Sequence, residues 1–232
     1  MKKEDWYDRI KQLRNSKENR TVRPYNNFME KINRSEKLFE IIEKKISYED
    51  CINEALYQYV ISDITAFEVY FKDIFLAVFK LCKDYEGNLK KCNKLVEKRF
   101  DLEDFVVISS RGILLEEIIL ASQNFQNISD IEKTFSTLTG KSFIGNLKGR
   151  TFTSGGLEAI MFQLDEDFYT KLIEYLDLRH SLVHDFDPML RLKKEKIEEL
   201  HDNLLLFIVA SDVYLHRDFI EPNLRNEFLS NI

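Results

Sequence analysis

Near the end of a segment with helical periodicity the chain reads Glu174-Tyr-Leu-Asp-Leu-Arg179-His180-Ser-Leu-Val-His184-Asp-Phe-Asp187-Pro188, an arginine and a histidine with four residues between them. Histidine, with an unperturbed pKa of about 6.5, gives or takes a proton at neutral pH, while arginine stays charged and offers a planar fork that fits phosphate oxygens. Metal-free cleavage of RNA needs a base for the 2′-hydroxyl proton, an acid for the leaving 5′-oxygen and a cation for the phosphorane charge. These two residue types supply all three. Winding the segment at about 100° per residue puts Phe168, Leu172, Tyr175, Leu176, Leu182 and Val183 on one apolar stripe, with Arg179 near its centre. Burying an unpaired guanidinium is costly, so Arg179 must meet an acid, line a polar cleft or face a partner subunit.

Five residues along a regular helix turn through about 500°, which leaves Arg179 and His184 about 140° apart. Either the helix end unwinds before Asp187, or the site is shared between two copies packed along this helix. For Arg179 the plainer alternative is an ion pair inside the protein with Glu68 or Asp63. His180 and His184, four apart, have the spacing of a metal pair on one helix face, with Asp185 or Asp187 as a third ligand, but no glutamate follows His180 as a zincin would require. Histidines at the end of a helix are the commoner reading, and no metal or cofactor is expected.

The elements that would position these residues follow from periodicity. Phe28 to Lys45 is expected to be a helix with Phe28, Ile32, Leu38, Ile41 and Ile42 as its apolar positions. From Tyr48 to Asp84 apolar residues recur at a 3.6-residue period without Pro or Gly, predicting a helix on the order of 50 Å long that Gly87 closes. Residues 88–164 should hold shorter helices, one of them opening at Asp130 with the Ser129/Glu132 capping-box pattern. Two more helices are expected, from Asp165 to about Val183 and from about Met189 to Asp218. Pro188 disfavours helical geometry at Asp187, so His184 falls in the last turn of the first. The short link makes this pair antiparallel neighbours. The expected fold is all-α: a four-helix bundle with a helical insertion, residues 88–164, between its second and third helices. Residues 1–27 form a basic N-terminal helix or arm, and 28–232 one domain.

Composition sets the bounds. With 232 residues the chain can bury roughly 70% of its unfolded surface. Only 7 Gly and 3 Pro, against 44% hydrophobic residues, fit a packed helical protein better than a sheet-rich or disordered one. A net charge of −6 argues against a protein that coats nucleic acid through a basic surface, but not against a local cleft. Two segments run against that average: Lys2 to Arg23, and the Gly/Ser/Thr-rich stretch from Gly140 to Gly156, whose Lys141, Lys148 and Arg150 are candidate RNA contacts. The commoner reading of such runs is a solvated face. Cys51, Cys82 and Cys92 form no CxxC pair and are read as reduced thiols, with Cys51 and Cys82 in the core. The absence of an apolar signal core and of any span of about 18 apolar residues leads to the expectation of a cytoplasmic protein outside the membrane. Thr139-Gly140-Lys141-Ser142 has the tail of a P-loop, but Phe135 stands where the first glycine is needed. His201 and His216 read as structural, and Glu68 as the polar face of its long helix.

Arg179, His180 and Leu182-Val183-His184 resemble the Arg-x4-6-His signature of HEPN-domain ribonucleases, and Ala66-Phe-Glu68-Val-Tyr-Phe71 is more weakly similar to that bundle's second helix. The resemblance implies a HEPN-like four-helix bundle, a homodimer through the Arg179 helix, and metal-independent endoribonuclease activity on single-stranded RNA or tRNA, commonly as a toxin or anti-phage effector beside an antitoxin or activator protein. By carry-over Arg179 stabilises the phosphate, His184 is the acid and base, and His180 positions them. A subgroup paired with nucleotidyltransferase antitoxins has a tyrosine two residues after the histidine. Here that residue is Phe186, which has no hydroxyl to accept a nucleotide. The competing expectation is a non-catalytic HEPN module that dimerises or binds a partner in a defence or toxin–antitoxin system.

Overall fold

The computed structural model describes residues 7, 10, 11, 23–82, 84–96, 100–153, 161–184 and 190–220. Four long helices carry the architecture: α1 (Pro24–Lys45), α2 (Glu49–Leu81), α8 (Glu166–His184) and α9 (Lys194–Phe219). Between α2 and α8 lie the short helices α3 (Tyr85–Cys92), α4 (Leu102–Ser110), α5 (Leu115–Ala121), α6 (Ile128–Thr139) and α7 (Phe143–Leu147), then a two-stranded antiparallel sheet of β1 (Thr151–Thr153) and β2 (Met161–Gln163) that pairs Phe152 with Phe162. Among the described residues the fold is all-α apart from this ribbon, which the sequence reading did not anticipate.

Helix α1 starts four residues earlier than its apolar period suggests, because Pro24 suits the first helical position, where no donor is lost. Its buried face is Phe28, Ile32 and Phe39, whereas Leu38 and Ile41, expected inside, are 59% and 52% exposed. Helix α2 is the axis of the molecule and packs against α1, α3, α5, α8 and α9. Val60, Ile64, Phe67, Phe71, Ile74, Phe75 and Val78, spaced at one helical face, are all at most 1% exposed. Ring contacts Phe28 to Tyr70 and Phe39 to Tyr59 make α1 and α2 antiparallel. The ion pairs Lys171–Glu199 and Lys196–Glu174 do the same for α8 and α9. The inserted helices share the main core. Phe125, Phe135 and Phe143 join Phe71, Phe75 and Phe207 in one group of rings with centroids roughly 5–6 Å apart, the offset and edge-on spacing aromatic pairs prefer. A second, smaller cluster holds Tyr7 and Ile10 against Ile108, Ile118 and Ala121. The rest of the basic N-terminal run, Arg23 and Lys11 apart, lies outside the described residues.

Several expected boundaries move for local reasons. Helix α2 stops at Leu81 without Gly87, which sits inside α3 with its N–H donated to the Asp84 carboxylate at 2.9 Å. Helix α6 is capped by Asn127, which accepts from Asp130 N at 2.8 Å, so Ser129 is not the cap. Glu132 instead reaches forward to α7, accepting from Ile144 N at 2.6 Å and Ser142 Oγ at 3.0 Å. Asp165 does cap α8, through Phe168 N at 2.8 Å. Helix α9 begins at Lys194 rather than near Met189, and residues 190–192 before it are clamped to α2. Asn53 donates to Leu190 O and accepts from Leu192 N, both at 3.0 Å, and Tyr57 donates to Leu190 O at 2.5 Å. No helix among the described residues is long and apolar enough to cross a membrane.

Candidate functional site

Helix α8 is regular from Glu166 to His184, so one copy holds Arg179 and His184 on different faces and does not bring them together by unwinding before His184. Phe168, Leu172, Tyr175, Leu176 and Leu182 form the buried face, as expected, but Val183, a further 100° round, is 43% exposed. The Arg179 side chain is 19% exposed and its Nη2 stands 3.9 Å from Glu68 Oε1, within ion-pair reach and too far for a hydrogen bond. Arg179 Nε and Glu68 Oε1 are buried and have no hydrogen-bond partner among the described residues. The other Glu68 oxygen is 3.8 Å from Lys72 Nζ. Glu68 thus lies between two cations, and it is not the solvated face of its helix: its side chain is 12% exposed. Lys72, one turn beyond Glu68, was not singled out in the sequence; its i, i+4 spacing from Glu68 was the available signal.

His180 and His184 are both exposed at the end of α8, with ring centroids 4.7 Å apart and planes inclined at 45°. Asp185, Phe186, Asp187 and Pro188 lie outside the described residues. Among those that are described, no group of three or more His, Cys, Asp or Glu is placed to hold a metal ion.

The basic stretch after α6 is distributed rather than pooled. Lys148 pairs with Glu166 at 2.6 Å and lies over the Tyr169 ring, 4.9 Å from its centroid. Arg150 pairs with Asp218 at 3.1 Å and lies 4.8 Å over Tyr214. Lys141 is exposed, next to Gly140 in the left-handed conformation that ends α6, and Ser142 caps α7 by accepting from Gly145 N. The Thr139–Ser142 segment is therefore a helix-to-helix turn.

A second polar group joins all four long helices. Asp63 of α2, fully buried, accepts from Tyr175 of α8 at 2.7 Å, and the same Oδ2 is 2.7 Å from His201 Nδ1 of α9. His201 Nε2 faces Glu36 of α1 at 3.2 Å, but off the hydrogen-bonding direction, so that nitrogen is buried without a hydrogen bond. Burial is the largest influence on His201 and opposes its charge. The Asp63 hydrogen bond and the carboxylates of Asp63, Glu36 and Asp202 outweigh it, so the net shift is upward. Asp63 therefore belongs to Tyr175 and His201 and is not the partner of Arg179. The signal was in the sequence: Asp63 interrupts the apolar face of α2 as Arg179 interrupts that of α8. His216 approaches Asp212 one turn back, its Nδ1 2.9 Å from the carbonyl oxygen.

All three cysteines are free. Cys92 is buried, which pushes its thiol up to about 12, Cys82 is half-buried, and Cys51, expected in the core, is exposed. Comparison with known proteins finds no matching family model, no matching curated protein and no matching solved structure.

Proposed function

We propose that this chain is a metal-independent endoribonuclease of the HEPN type, acting as a dimer packed along α8. The observation that carries the reading is Arg179: a mostly buried guanidinium with an unpaired Nε, held only loosely by Glu68, directly before His180 and five residues before His184, both exposed. A cation kept for packing alone would be expected to close on its acid with direct hydrogen bonds. An incoming phosphate diester offers the oxygens Arg179 lacks. In this scheme His184 removes the 2′-hydroxyl proton, the 2′-oxygen attacks the adjacent phosphorus, the P–O5′ bond breaks, and a histidine returns a proton to the 5′-oxygen. The products are a 2′,3′-cyclic phosphate and a 5′-hydroxyl. Arg179 carries the developing charge on the phosphorane, and His180, its ring 4.7 Å from that of His184, fixes its orientation. Because Arg179 and His184 occupy different faces of one α8, the second copy completes the cleft. Ile173 and Val183, both exposed on that helix at 46% and 43%, supply apolar contact for the pairing.

A defence or toxin role, beside an antitoxin or an activating partner, goes with this reading. Purified protein incubated with RNA in EDTA, beside His184→Ala and Arg179→Ala, tests it. Cleavage by wild type alone, with cyclic phosphate ends, is the expected result. Folded variants and wild type that are equally inert, with Arg179→Ala weakening self-association in sedimentation, would favour the non-catalytic partner-binding module instead.

A further inference from the structure

A cleft of about 600 Å³ opens between α1, α2 and the start of α9, with His201 at its base. That volume lies in the range of small-molecule sites, roughly 300–1,000 Å³. Its lining is strongly acidic, with Glu36, Glu40, Glu43, Glu198 and Asp202 against Lys44 and Lys194. The two lysines are already committed: Lys44 to Glu40 at 3.0 Å, and Lys194 to Glu43 at 2.7 Å and to Glu198 at 3.7 Å. Glu36 and Asp202 are left over. Glu36 approaches only His201, and Asp202 makes no hydrogen bond or ion pair among the described residues.

The second observation is His201 itself. Its side chain is 5% exposed, and it lines the cleft. When the ring is neutral with Nδ1–H donated to the Asp63 carboxylate, Nε2 presents a lone pair, and Glu36 Oε1, 3.2 Å away, is also an acceptor. In that neutral state two acceptors 3.2 Å apart face each other without a shared proton, a repulsion that a donor from the cleft side relieves. We propose that this cleft binds an alkylammonium group, whose N–H bonds meet His201 Nε2, Glu36 and Asp202 while its methylenes lie along Phe39 and Tyr59. The same cleft already holds one ammonium in this manner: Lys194 Nζ lies 5.7 Å from the Phe39 ring centroid while paired with Glu43.

A proton on Nε2 and the ligand compete for one place, so binding weakens as His201 charges. The groups that face this imidazole are Glu36 of α1, Tyr59 and Asp63 of α2, Tyr175 of α8 and Asp202 on α9. The proposal is independent of the ribonuclease reading and stands or falls separately.

The test titrates the full chain with 1,4-diaminobutane at constant ionic strength, following the His201 ring nitrogens by NMR and heat by calorimetry. A saturable one-site response that moves His201, several-fold weaker at pH 6 than at pH 8, is expected. Glu36→Gln combined with Asp202→Asn, a half-buried and an exposed position whose exchange should spare the fold, should weaken it at least tenfold with the native far-UV ellipticity kept. A parallel titration with Nα-acetyl-lysine methylamide separates the sources: tighter binding of that probe points to a lysine side chain of a peptide, weaker binding to a free amine. No saturable response, a response equalled by tetramethylammonium chloride, or full binding in the double variant overturns the proposal.

Discussion

Exchanging Arg179 for methionine separates a guanidinium kept for chemistry from one kept for packing. Methionine retains most of the apolar stem that runs along the buried face of α8, so what is removed is mainly the charge. Its partner oxygen is 3.9 Å away. Two unit charges at that distance attract by about 4 kcal/mol gross at an effective dielectric near 20. Both groups are mostly withdrawn from water, at 19% and 12% exposure, so their desolvation offsets most of that attraction. Glu68 is not abandoned by the exchange, because Lys72 remains 3.8 Å from its other oxygen. With Lys72 left to pair Glu68 and methionine filling the space, the net cost should be about 1 kcal/mol, below that of a buried charge left alone, which for a chain of this size lowers Tm by roughly 2–4 °C. Cleavage of RNA should fall by a hundredfold or more, on the order of the loss when one donor to a transition-state charge is removed. Urea unfolding and single-turnover cleavage on the same preparations read both quantities. A loss near 3–5 kcal/mol, the usual size for breaking a buried pair, largely restored in Arg179→Met/Glu68→Gln, would mean that the arginine serves the fold and would remove its motive as a phosphate ligand.

The remaining expectations concern the core around that helix. Tyr175→Phe deletes one of two donors to the fully buried Asp63 and should cost about 2 kcal/mol in urea unfolding, as hydrogen bonds to charged groups do; a change under about 0.5 kcal/mol would show the bond to be idle. His201 titrates higher in the folded protein than its ordinary value, so its contribution to stability is complete below the unfolded pKa of about 6.5 and fades as pH rises through the folded one. Unfolding followed from pH 6 to pH 9 should show this decline in wild type, and His201→Gln should lack it; equal slopes would refute the assignment. Phe207, fully buried against the rings of Phe67, Phe71, Phe143, Phe168 and Tyr169, should cost about 3–5 kcal/mol when truncated to alanine, measured by thermal unfolding with native far-UV ellipticity below the transition.

Periodicity reported the four long helices well because each buries one face against the others, and a 3.6-residue repeat is the direct trace of that burial. It failed where a backbone group is satisfied from another element. Nothing near Leu190 says that Asn53 and Tyr57, on a helix far away in sequence, will bond the backbone of Leu190 and Leu192 and so delay α9. Nor does the Ser129/Glu132 spacing say that Glu132 caps the following helix rather than its own. Leu38 and Ile41 were misplaced for a different reason: α1 is covered on one side only, and an apolar residue next to the stripe is tolerated in water.

The candidate site shows the same division between what lies along a helix and what lies across helices. Asp63, Glu68, Arg179 and His201 each interrupt or border an apolar stripe, and each is more than four-fifths buried in the fold. A charge out of place on its own helix can be read from spacing alone. Which acid meets which base cannot, because the spacing within α2 leaves both Asp63 and Glu68 able to face α8, and the relative slide of two helices is set by how their large side chains interlock. Here Phe207 of α9 touches Phe67 of α2 on one side and Phe168 and Tyr169 of α8 on the other, and in that packing Asp63 goes to Tyr175 and His201 in two short contacts while Glu68 is left with Arg179 at 3.9 Å. Both sites keep unpartnered atoms, Asp63 Oδ1 and His201 Nε2 at one and Glu68 Oε1 and Arg179 Nε at the other, but the first is closed by two 2.7 Å contacts on one oxygen and the second stays loose at 3.9 Å. Groups closed on each other hold a fold, and a buried cation left partly open is where a ligand's charge would be stabilised most. That contrast, between two acid sites little more than one helical turn apart, is the physical basis for placing the proposed chemistry at Arg179 rather than at His201.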